Sequence, residues 1–142
     1  METMYIPDTI SYDGTQLAPH WIFKNYQLVG DAAVAFVGPV NVPVDHMVDL
    51  LDVMDQAYIY SPLMLNFIIE HFNHDLNLAI YRQRMFMVSI KEELEQFGIP
   101  VTRRGDDLYI GKAKLSVSIA TVSLVSTLIH VGLNIETEGT PV

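Results

Sequence analysis

The sequence feature that most constrains the fold is the uncharged stretch from Leu115 to Ile135. A stretch of this length without Asp, Glu, Lys or Arg is long enough to cross a bilayer as a helix. However, serine, threonine, histidine and asparagine are spread through it, and its bulky apolar residues tend to alternate with small or polar ones. Period-two alternation is typical of β-strands. We therefore predict buried strands here and no membrane-spanning helix.

The alternation gives the two strands predicted in this region two unlike faces. One strand runs from Lys114 to Thr121 and the other from Leu128 to Ile135. In each strand, bulky aliphatic side chains dominate one face, and small or polar side chains dominate the other. The small or polar faces comprise Lys114, Ser116, Ser118 and Ala120 in the first strand, and Leu128, His130, Gly132 and Asn134 in the second.

If the two strands are neighbours in register, these faces form one concave floor, with an ammonium group at one end and imidazole and amide groups nearby. A pocket with a few polar groups on a rigid sheet is a common design for a ligand site. A solvated face is the alternative, because antiparallel sheets often leave one face in water. The alternation alone does not decide between these two interpretations.

A long amphipathic helix is predicted before these strands. Asp75 is a candidate N-cap, and Gly98 followed by Pro100 ends the helical pattern. Apolar residues recur at helical spacing between these points, at Leu76, Ile80, Met87, Ile90, Leu94 and Phe97. Burial of this stripe predicts that the helix packs on the bulky faces of the two strands. Arg82 and Arg84 lie on different faces of the helix, so they do not form one anion clamp.

The remaining pattern indicates short elements. We predict a short helix in Pro19–Leu28, a strand in Ala32–Val37, a helix capped by Asp45, strands in Val101–Arg104 and Leu108–Ile110, and a hairpin turn at Gly111-Lys112. The segment from residue 61 to 72 fits either a helix or a buried strand. Together these elements predict a single α+β domain over residues 1–142, with a mainly antiparallel sheet and helices packed on one face.

Composition restricts the functional classes. Seventeen Asp and Glu against eight Lys and Arg give a net charge of −9, which argues against a nucleic-acid partner. The absence of cysteine excludes disulfides and thiolate metal sites and fits a reducing cytosol. No basic start followed by an apolar run precedes the domain, so no signal peptide is expected. We therefore expect a cytoplasmic protein without membrane attachment.

The segment from Arg103 to Ser118 resembles a motif of biotin and lipoate protein ligases and octanoyl transferases. It has an arginine and glycine, an acidic pair, a strand, a glycine turn and a lysine strand with small residues. The later strand His130-Val131-Gly132-Leu133-Asn134 is similar to one in the lipoyl branch. The resemblance implies a fold like that of class II aminoacyl-tRNA synthetases. It also favours a strand for Met64–Phe72, which enters the long helix in that fold.

Nearly the whole chain also resembles domain-of-unknown-function family 366. The resemblance rests on Tyr12-Asp13-Gly14, Pro19-His20-Trp21, His46-Met47-Val48-Asp49-Leu50, Arg82-Gln83-Arg84, Gly105-Asp106-Asp107-Leu108-Tyr109 and the strand starting at Lys114. The family has no established activity to transfer. Its members usually continue past a Gly-Thr-Pro-Val segment such as Gly139–Val142, so we expect this chain to lack the family's C-terminal segment.

The ligase resemblance implies a site around Lys114. In the ligases the matching lysine contacts the substrate carboxylate and the α-phosphate of the nucleotide. A small carboxylate ligand and, as cofactors, ATP and Mg²⁺ are therefore implied. Asp106 and Asp107 would orient the lysine or bind a metal-bridged phosphate. The pocket lining would be Ser116, Ser118, His130, Gly132 and Asn134. No resident metal site is expected, and His71 and His74 are interpreted as surface residues.

Departures from the ligase pattern leave three functional classes open. The Arg-Arg-x-Ser-Gly-Gly-Gly signature of lipoate ligases and the glycine- and arginine-rich loop of biotin ligases are absent. The absence of cysteine rules out a thioester route. The chain is therefore interpreted as a ligase or acyl-transferase-like enzyme, as a non-catalytic small-ligand-binding module, or as a structural or partner-binding domain. In the last case, a homodimer would form through a free sheet edge.

Overall fold

A computed structural model describes residues 1–46 and 59–136 of the chain. In chain order the elements are β1 (Glu2–Ile6), α1 (Trp21–Tyr26), β2 (Ala32–Val42), a short 3-10 helix (Val44–His46), β3 (Ile59–His71), α2 (Leu76–Gln96), β4 (Thr102–Arg104), β5 (Asp107–Ile110), β6 (Ala113–Lys114), β7 (Ser116–Val122) and β8 (Thr127–Glu136). The helix predicted after Asp45 falls outside the described residues.

The strands form two sheets. The larger sheet has the order β1-β2-β3-β8-β7, and the smaller has the order β4-β5-β6. Only the β1–β2 pair is parallel among these ladders; the others are antiparallel. The prediction of an α+β fold with a mainly antiparallel sheet is confirmed.

The ambiguous segment after residue 60 is strand β3, at the centre of the larger sheet. Met64 and Ile68 lie on one face of β3, whereas Phe67 and Ile69 lie on the other, and each face belongs to a different hydrophobic cluster. A strand covered on both faces reads as a nearly continuous apolar run, which explains why its sequence also fitted a helix. The preference for a strand is confirmed.

The larger sheet is covered on both faces. Helix α2 packs on one face through a cluster that contains Met87, Ile129 and Val131. Helix α1 and the segment before it cover the opposite face, where Ile22 and Tyr12 pack in a cluster with Phe36. The placement of the helices therefore differs from the expectation in one respect, because the short helix α1 lies on the face opposite α2.

Helix α2 begins and ends where its sequence indicates. The carboxylate of Asp75 accepts a hydrogen bond of 3.0 Å from the backbone N–H of Leu78, as an N-cap does. Gly98, with a positive φ of 80°, follows its last residues. The apolar stripe is buried at its centre, whereas Phe97 at its end is 80% exposed. In the described ranges, no helix is both long and apolar enough to cross a membrane.

Strand β2 continues beyond its predicted end at Gly38-Pro39. A register shift between Gly38 and Val40 accommodates the proline, and pairing with β3 resumes as far as Val42. At this point the N-terminal segment crosses the sheet at very close range. A Cβ atom added at Gly38 would lie 1.7 Å from the carbonyl oxygen of Ile10, which is a backbone atom. The glycine is required here because the two backbones touch.

We expect Gly38→Ala to lower the free energy of unfolding by at least about 3 kcal/mol, because a backbone clash cannot be relieved by a side-chain rotation. The matched control is Gly30→Ala. Its added Cβ meets nothing within 4 Å, so only the positive φ of 79° carries a cost, about 1–2 kcal/mol. Chemical denaturation of both variants measures the difference. Equal losses would show that the contact with Ile10 does not constrain residue 38.

Candidate functional site

The prediction that the small-residue faces of the two strands form one floor is wrong. The register of β7 and β8 places these faces on opposite sides of the sheet. Ser116 lies opposite Leu133, and Ser118 lies opposite Val131. Directly opposed residues of an antiparallel pair share a face. Ser116 and Ser118 therefore lie on the α2 side of the sheet, with the bulky residues of β8. His130 lies on the other side.

The predicted strand from Lys114 to Thr121 is also two strands in different sheets. Lys114 ends β6 in the smaller sheet, opposite Tyr109, and Ser116 begins β7 in the larger one. Leu115 lies between them, and its backbone N–H donates to the carbonyl of Leu108 at 2.8 Å. Its side chain packs in the same cluster as α2. The simple alternation assumed across Leu115 therefore does not hold, and Lys114 does not share a strand face with Ser116.

The two serines predicted to bind a ligand instead join secondary-structure elements. The hydroxyl oxygen of Ser116, which is fully buried, accepts a hydrogen bond of 2.9 Å from the backbone N–H of Leu108. The hydroxyl of Ser118 donates to the carbonyl of Asp106 at 2.9 Å. These contacts fasten the smaller sheet to the edge of the larger one. We interpret both serines as structural.

Asp106 belongs to the same structural group. Its Oδ2 atom accepts a hydrogen bond of 3.1 Å from Nε2 of Gln83 and lies 3.3 Å from the hydroxyl of Ser118. Gln83 also donates to Ser118 at 2.9 Å, and it is buried within the apolar stripe of α2. The sequence analysis missed Gln83, although a polar residue at a core-facing helical position was a usable signal. This carboxylate is thus already engaged by protein donors.

His130 is fully enclosed on the opposite side of the sheet. The Tyr12 ring stacks on the imidazole with a centroid distance of 3.8 Å. The Nε2 atom donates to Oδ1 of Asn66 at 2.9 Å. Burial lowers the pKa of His130 to about 3, so the ring is neutral at physiological pH. Sequence reasoning assigned no site role to Tyr12 or Asn66, although Asn66 is a polar residue inside an apolar strand.

The space above Gly132 is filled as well. A Cβ added there would lie 2.7 Å from Sδ of Met64 and 3.2 Å from a methyl group of Val117. Glycine therefore makes room for neighbouring side chains at this position. Together with the stacked Tyr12, these contacts make the predicted ligand positions His130 and Gly132 part of a packed core.

Lys114, Asp107 and Asn134 do lie together. Nζ of Lys114 is 3.3 Å from Oδ1 of Asp107, and the two side chains are 37% and 31% exposed. Nδ2 of Asn134 donates to the carbonyl of Lys114 at 3.3 Å. Oδ1 of Asn134 is buried and has no hydrogen-bond partner. Of the eight predicted site residues, these three lie together around the part-exposed ammonium of Lys114.

The neighbours of Lys114 make this place locally basic. Register places Arg104, Asp107, Tyr109 and Lys114 on one face of the smaller sheet, because Arg104 opposes Asp107 and Tyr109 opposes Lys114. The Arg104 guanidinium lies over the Tyr109 ring, 5.3 Å from its centroid. Two cationic side chains therefore share this face with one carboxylate. An anion can be attracted here in spite of the acidic net charge of the protein.

Among the described residues, Lys114 and Asp107 are the part-exposed charged pair that a nucleotide phosphate and Mg²⁺, which the ligase resemblance implies, would contact. A glycine serves a phosphate cradle when its lack of Cβ lets a ligand approach, but at Gly38 that space holds the Ile10 carbonyl. At Asp106, the Oδ2 atom is the one engaged by Gln83 and Ser118. The described part of the chain holds no group of three or more His, Asp or Glu side chains arranged to bind a metal ion. We derive no chemical step through either group.

Comparison with known proteins identifies the family. A family model described as "Domain of unknown function (DUF366)" matches residues 1–142. The chain belongs to this family. It is 36% identical over 144 residues to the uncharacterized protein MJ0805 of Methanocaldococcus jannaschii, covering 98% of this chain. The chain spans 65% of the length of that relative.

Solved structures show the same fold. A protein of unknown function from Pyrococcus horikoshi superposes with a TM-score of 0.94 at 40% identity, over 99% of this chain and 77% of that one. The DUF366 chain also resembles a putative lipoate protein ligase of Thermoplasma acidophilum with bound lipoic acid (TM-score 0.55, 12% identity, 94% and 68% coverage). The Aquifex aeolicus biotin protein ligase with biotin and ATP superposes with a TM-score of 0.58 at 17% identity, over 99% of this chain and 55% of that one. The DUF366 chain thus has a biotin and lipoate ligase-like fold.

The enclosed His130 predicts a specific dependence of stability on pH. Its pKa is about 3 when folded, against 6.5 for an unperturbed histidine, so between these values the unfolded chain binds the extra proton. The contribution of His130 to the free energy of unfolding is constant above pH 6.5. Below pH 6.5, protonation of this residue in the unfolded chain lowers the free energy of unfolding by about 1.4 kcal/mol per pH unit.

Denaturation of wild type and His130→Gln between pH 7.5 and pH 4.5 measures this effect. Glutamine keeps a donor for Asn66 but does not titrate, so we expect the variant to lose less stability than wild type as the pH falls. The exposed Leu124 provides the control, because Leu124→Gln changes no titratable group and should follow the wild-type pH dependence. If the free energies of unfolding of wild type and His130→Gln fell in parallel with pH, the assignment of His130 as a buried, neutral histidine would be wrong.

Proposed function

We propose that this DUF366 protein binds a small carboxylic acid and that Lys114 anchors the carboxylate. The observation that carries the proposal is the half-exposed ammonium of Lys114, on a sheet face where two cations accompany one carboxylate. Its supporting residues are Asp107, which holds the lysine side chain, and Asn134, which holds its backbone. The fold shared with biotin and lipoate ligases supports a site of this kind.

The chemistry of Lys114 suits a carboxylate. An ammonium group has three donors, and the ion pair with Asp107 at 3.3 Å uses one of them. A hydrogen bond to a charged partner contributes about 1.5–3 kcal/mol in a partly buried position. A ligand carboxylate can therefore bind beside Asp107 without breaking this ion pair. The Arg104 guanidinium on the same sheet face adds to the attraction.

Asn134 suggests a second feature of the ligand. Its Oδ1 atom is buried without a donor, while its Nδ2 atom is fixed on the carbonyl of Lys114. A buried acceptor without a partner is uncommon and costly. Because this oxygen is closed to solvent, a ligand hydroxyl or amide N–H group beside the carboxylate would satisfy it once the side chains that cover it move aside. We therefore place hydroxy acids and N-acyl or ureido acids at the centre of the proposed class.

Binding without activation is better supported than a ligase reaction. It is supported by the space at Gly38, which is filled by protein, and by Oδ2 of Asp106, which already accepts from Gln83. Acid activation is the second candidate, favoured by the fold. In that case a positioned lysine would stabilise the negative charge that develops during acyl transfer to a phosphate. The acidic net charge and the lack of cysteine support a cytoplasmic protein without a nucleic-acid partner.

We expect Lys114→Met to weaken binding of a small carboxylic acid at least about 10-fold, because it removes a charged hydrogen bond of about 1.5–3 kcal/mol. Lys112→Met is the matched control, since Lys112 is an exposed lysine in the hairpin turn two residues earlier. Thermal shift and calorimetry with hydroxy acids, N-acyl amino acids, lipoic acid and biotin measure the affinities. Equal affinities of the two variants, or no acid that binds wild type, would contradict the proposal.

The same proteins separate binding from activation. Addition of ATP and Mg²⁺ should leave the acid affinity of wild type unchanged if the protein only binds. Pyrophosphate exchange that requires an acid and disappears in Lys114→Met would instead establish the activating enzyme.

A further inference from the structure

Strand β1 is an edge strand of the larger sheet, and among the described residues no strand pairs with its outer side. The backbone N–H of Glu2 donates to the carbonyl of Asp31 at 3.0 Å, and the parallel register with β2 continues from there without a shift. Because successive residues of a strand turn their backbone groups to opposite sides, those of Met4 also face β2. The N–H and C=O groups of Thr3 and Tyr5 therefore point outward from the sheet.

This edge lacks the features that usually prevent an edge strand from pairing with another chain. Natural edge strands are blunted by lysine, by proline, by a bulge or by an element that covers them. From Thr3 to Ile6 the strand has no lysine or proline, and its register with β2 shows no bulge. Strand β1 can therefore accept a further strand at its outer side.

An apolar groove lies beside this edge, on the α2 side of the sheet. It encloses about 350 Å³, and its floor extends from Thr3 and Tyr5 in β1 to Ala33 and Ala35, their partners in β2. Ala33 packs in the same cluster as α2, which places this floor on the α2 side. The Tyr5 side chain is 59% exposed. A strand that pairs with β1 puts alternate side chains beside this floor, and an apolar side chain there buries part of it.

The pattern of β1 is complementary to itself. In an antiparallel pair of two β1 strands centred on Met4, Thr3 of each copy lies opposite Tyr5 of the other. Both residues point their backbone groups outward, so they form the hydrogen-bonded pairs of the ladder, and the two Met4 residues form the non-hydrogen-bonded pair between them. Both side chains lie on the groove side, so Tyr5 of each copy extends the apolar floor beside Thr3 of the other. Glu2 lies opposite Ile6, so this pairing opposes no like charges.

We propose that the outer edge of β1 is an interface for a second copy of this chain, paired by an antiparallel β1–β1 contact around a twofold axis at Met4. The two larger sheets form one continuous sheet, and the two apolar grooves lie on the same side of it, on either side of the axis. A twofold interface uses the same surface on both copies, and the pairing of Thr3 with Tyr5 satisfies this condition. The interface uses none of the residues assigned to the Lys114 site, so either proposal can fail without the other.

Sedimentation equilibrium of the full chain tests the proposal, and wild type should show a monomer–dimer equilibrium with a dissociation constant below about 1 mM. In Thr3→Lys/Tyr5→Lys, lysine opposes lysine at both outer pairs, so the dissociation constant should rise at least about 10-fold, although the net negative charge of each copy is smaller. Thr3→Lys/Tyr5→Glu is the matched control, because each lysine then opposes a glutamate of the other copy, and it should still dimerise. Equal dissociation constants for the two double variants would overturn the proposal.

A mixing experiment identifies both the partner and the register. Thr3→Lys/Tyr5→Lys and Thr3→Glu/Tyr5→Glu should each be weaker dimers than wild type on their own and should form a heterodimer when mixed, because opposite charges then meet at both outer pairs. Thr3 and Tyr5 are exposed, so the melting temperatures of the variants verify that the chains are folded. A wild type that stays monomeric up to about 1 mM, or a mixture of the two folded variants that associates no better than either alone, would show that β1 does not pair with its copy.

Discussion

The register between β7 and β8 is the constraint on which the rest of the structure depends. It is held by hydrogen bonds from outside the sheet, because Gln83 of α2 donates to Ser118 and Ser116 accepts from Leu108. A slip of one residue would turn every side chain of β7 to the other face and leave these polar groups without partners. A few buried polar contacts therefore decide which face of the edge strand meets the helix, and they also fix the smaller sheet that carries Lys114.

The same register explains why small residues in β7 do not form a pocket. On the α2 side, Ser116, Ser118 and Ala120 leave room for the smaller sheet and for Gln83 to approach closely. On the other side, Gly132 in β8 leaves room for Met64 and Val117. Small residues mark close approach of protein to protein here. They would mark a ligand cavity only if no side chain from another element reached the vacant space.

Much of the fold could be predicted from the sequence, because helix α2, with its Asp75 cap, and strand β8 follow periodic patterns that local physics determines. The central strand β3 has no such pattern, and the preference for a strand there came from the family resemblance. The face on which two strands meet could not be predicted in this way. Periodicity shows which residues of one strand share a face, but the match between strands depends on tertiary contacts such as that of Ser118 with Gln83. For the site, the motif around Lys114 indicated Asp107, and the later strand starting at His130 indicated Asn134. Tyr12 and Asn66, in contrast, enclose His130 through contacts distant in sequence.

Polar groups that this packing leaves unused lie at the ends of the sheet. Buried polar atoms in proteins almost always have partners. In the described ranges, three side-chain atoms do not: Oδ1 of Asn134, Nη1 of Arg82 and Nδ1 of His71. The first lies beside the Lys114 backbone, and the other two belong to the second turn of α2 and to the last residue of β3. Because the centre of the sheet is filled on both faces, it can act as a rigid support that fixes these groups at its ends. The packed centre therefore explains both the rigidity of the sheet and the position of these three atoms, which the described protein groups do not satisfy.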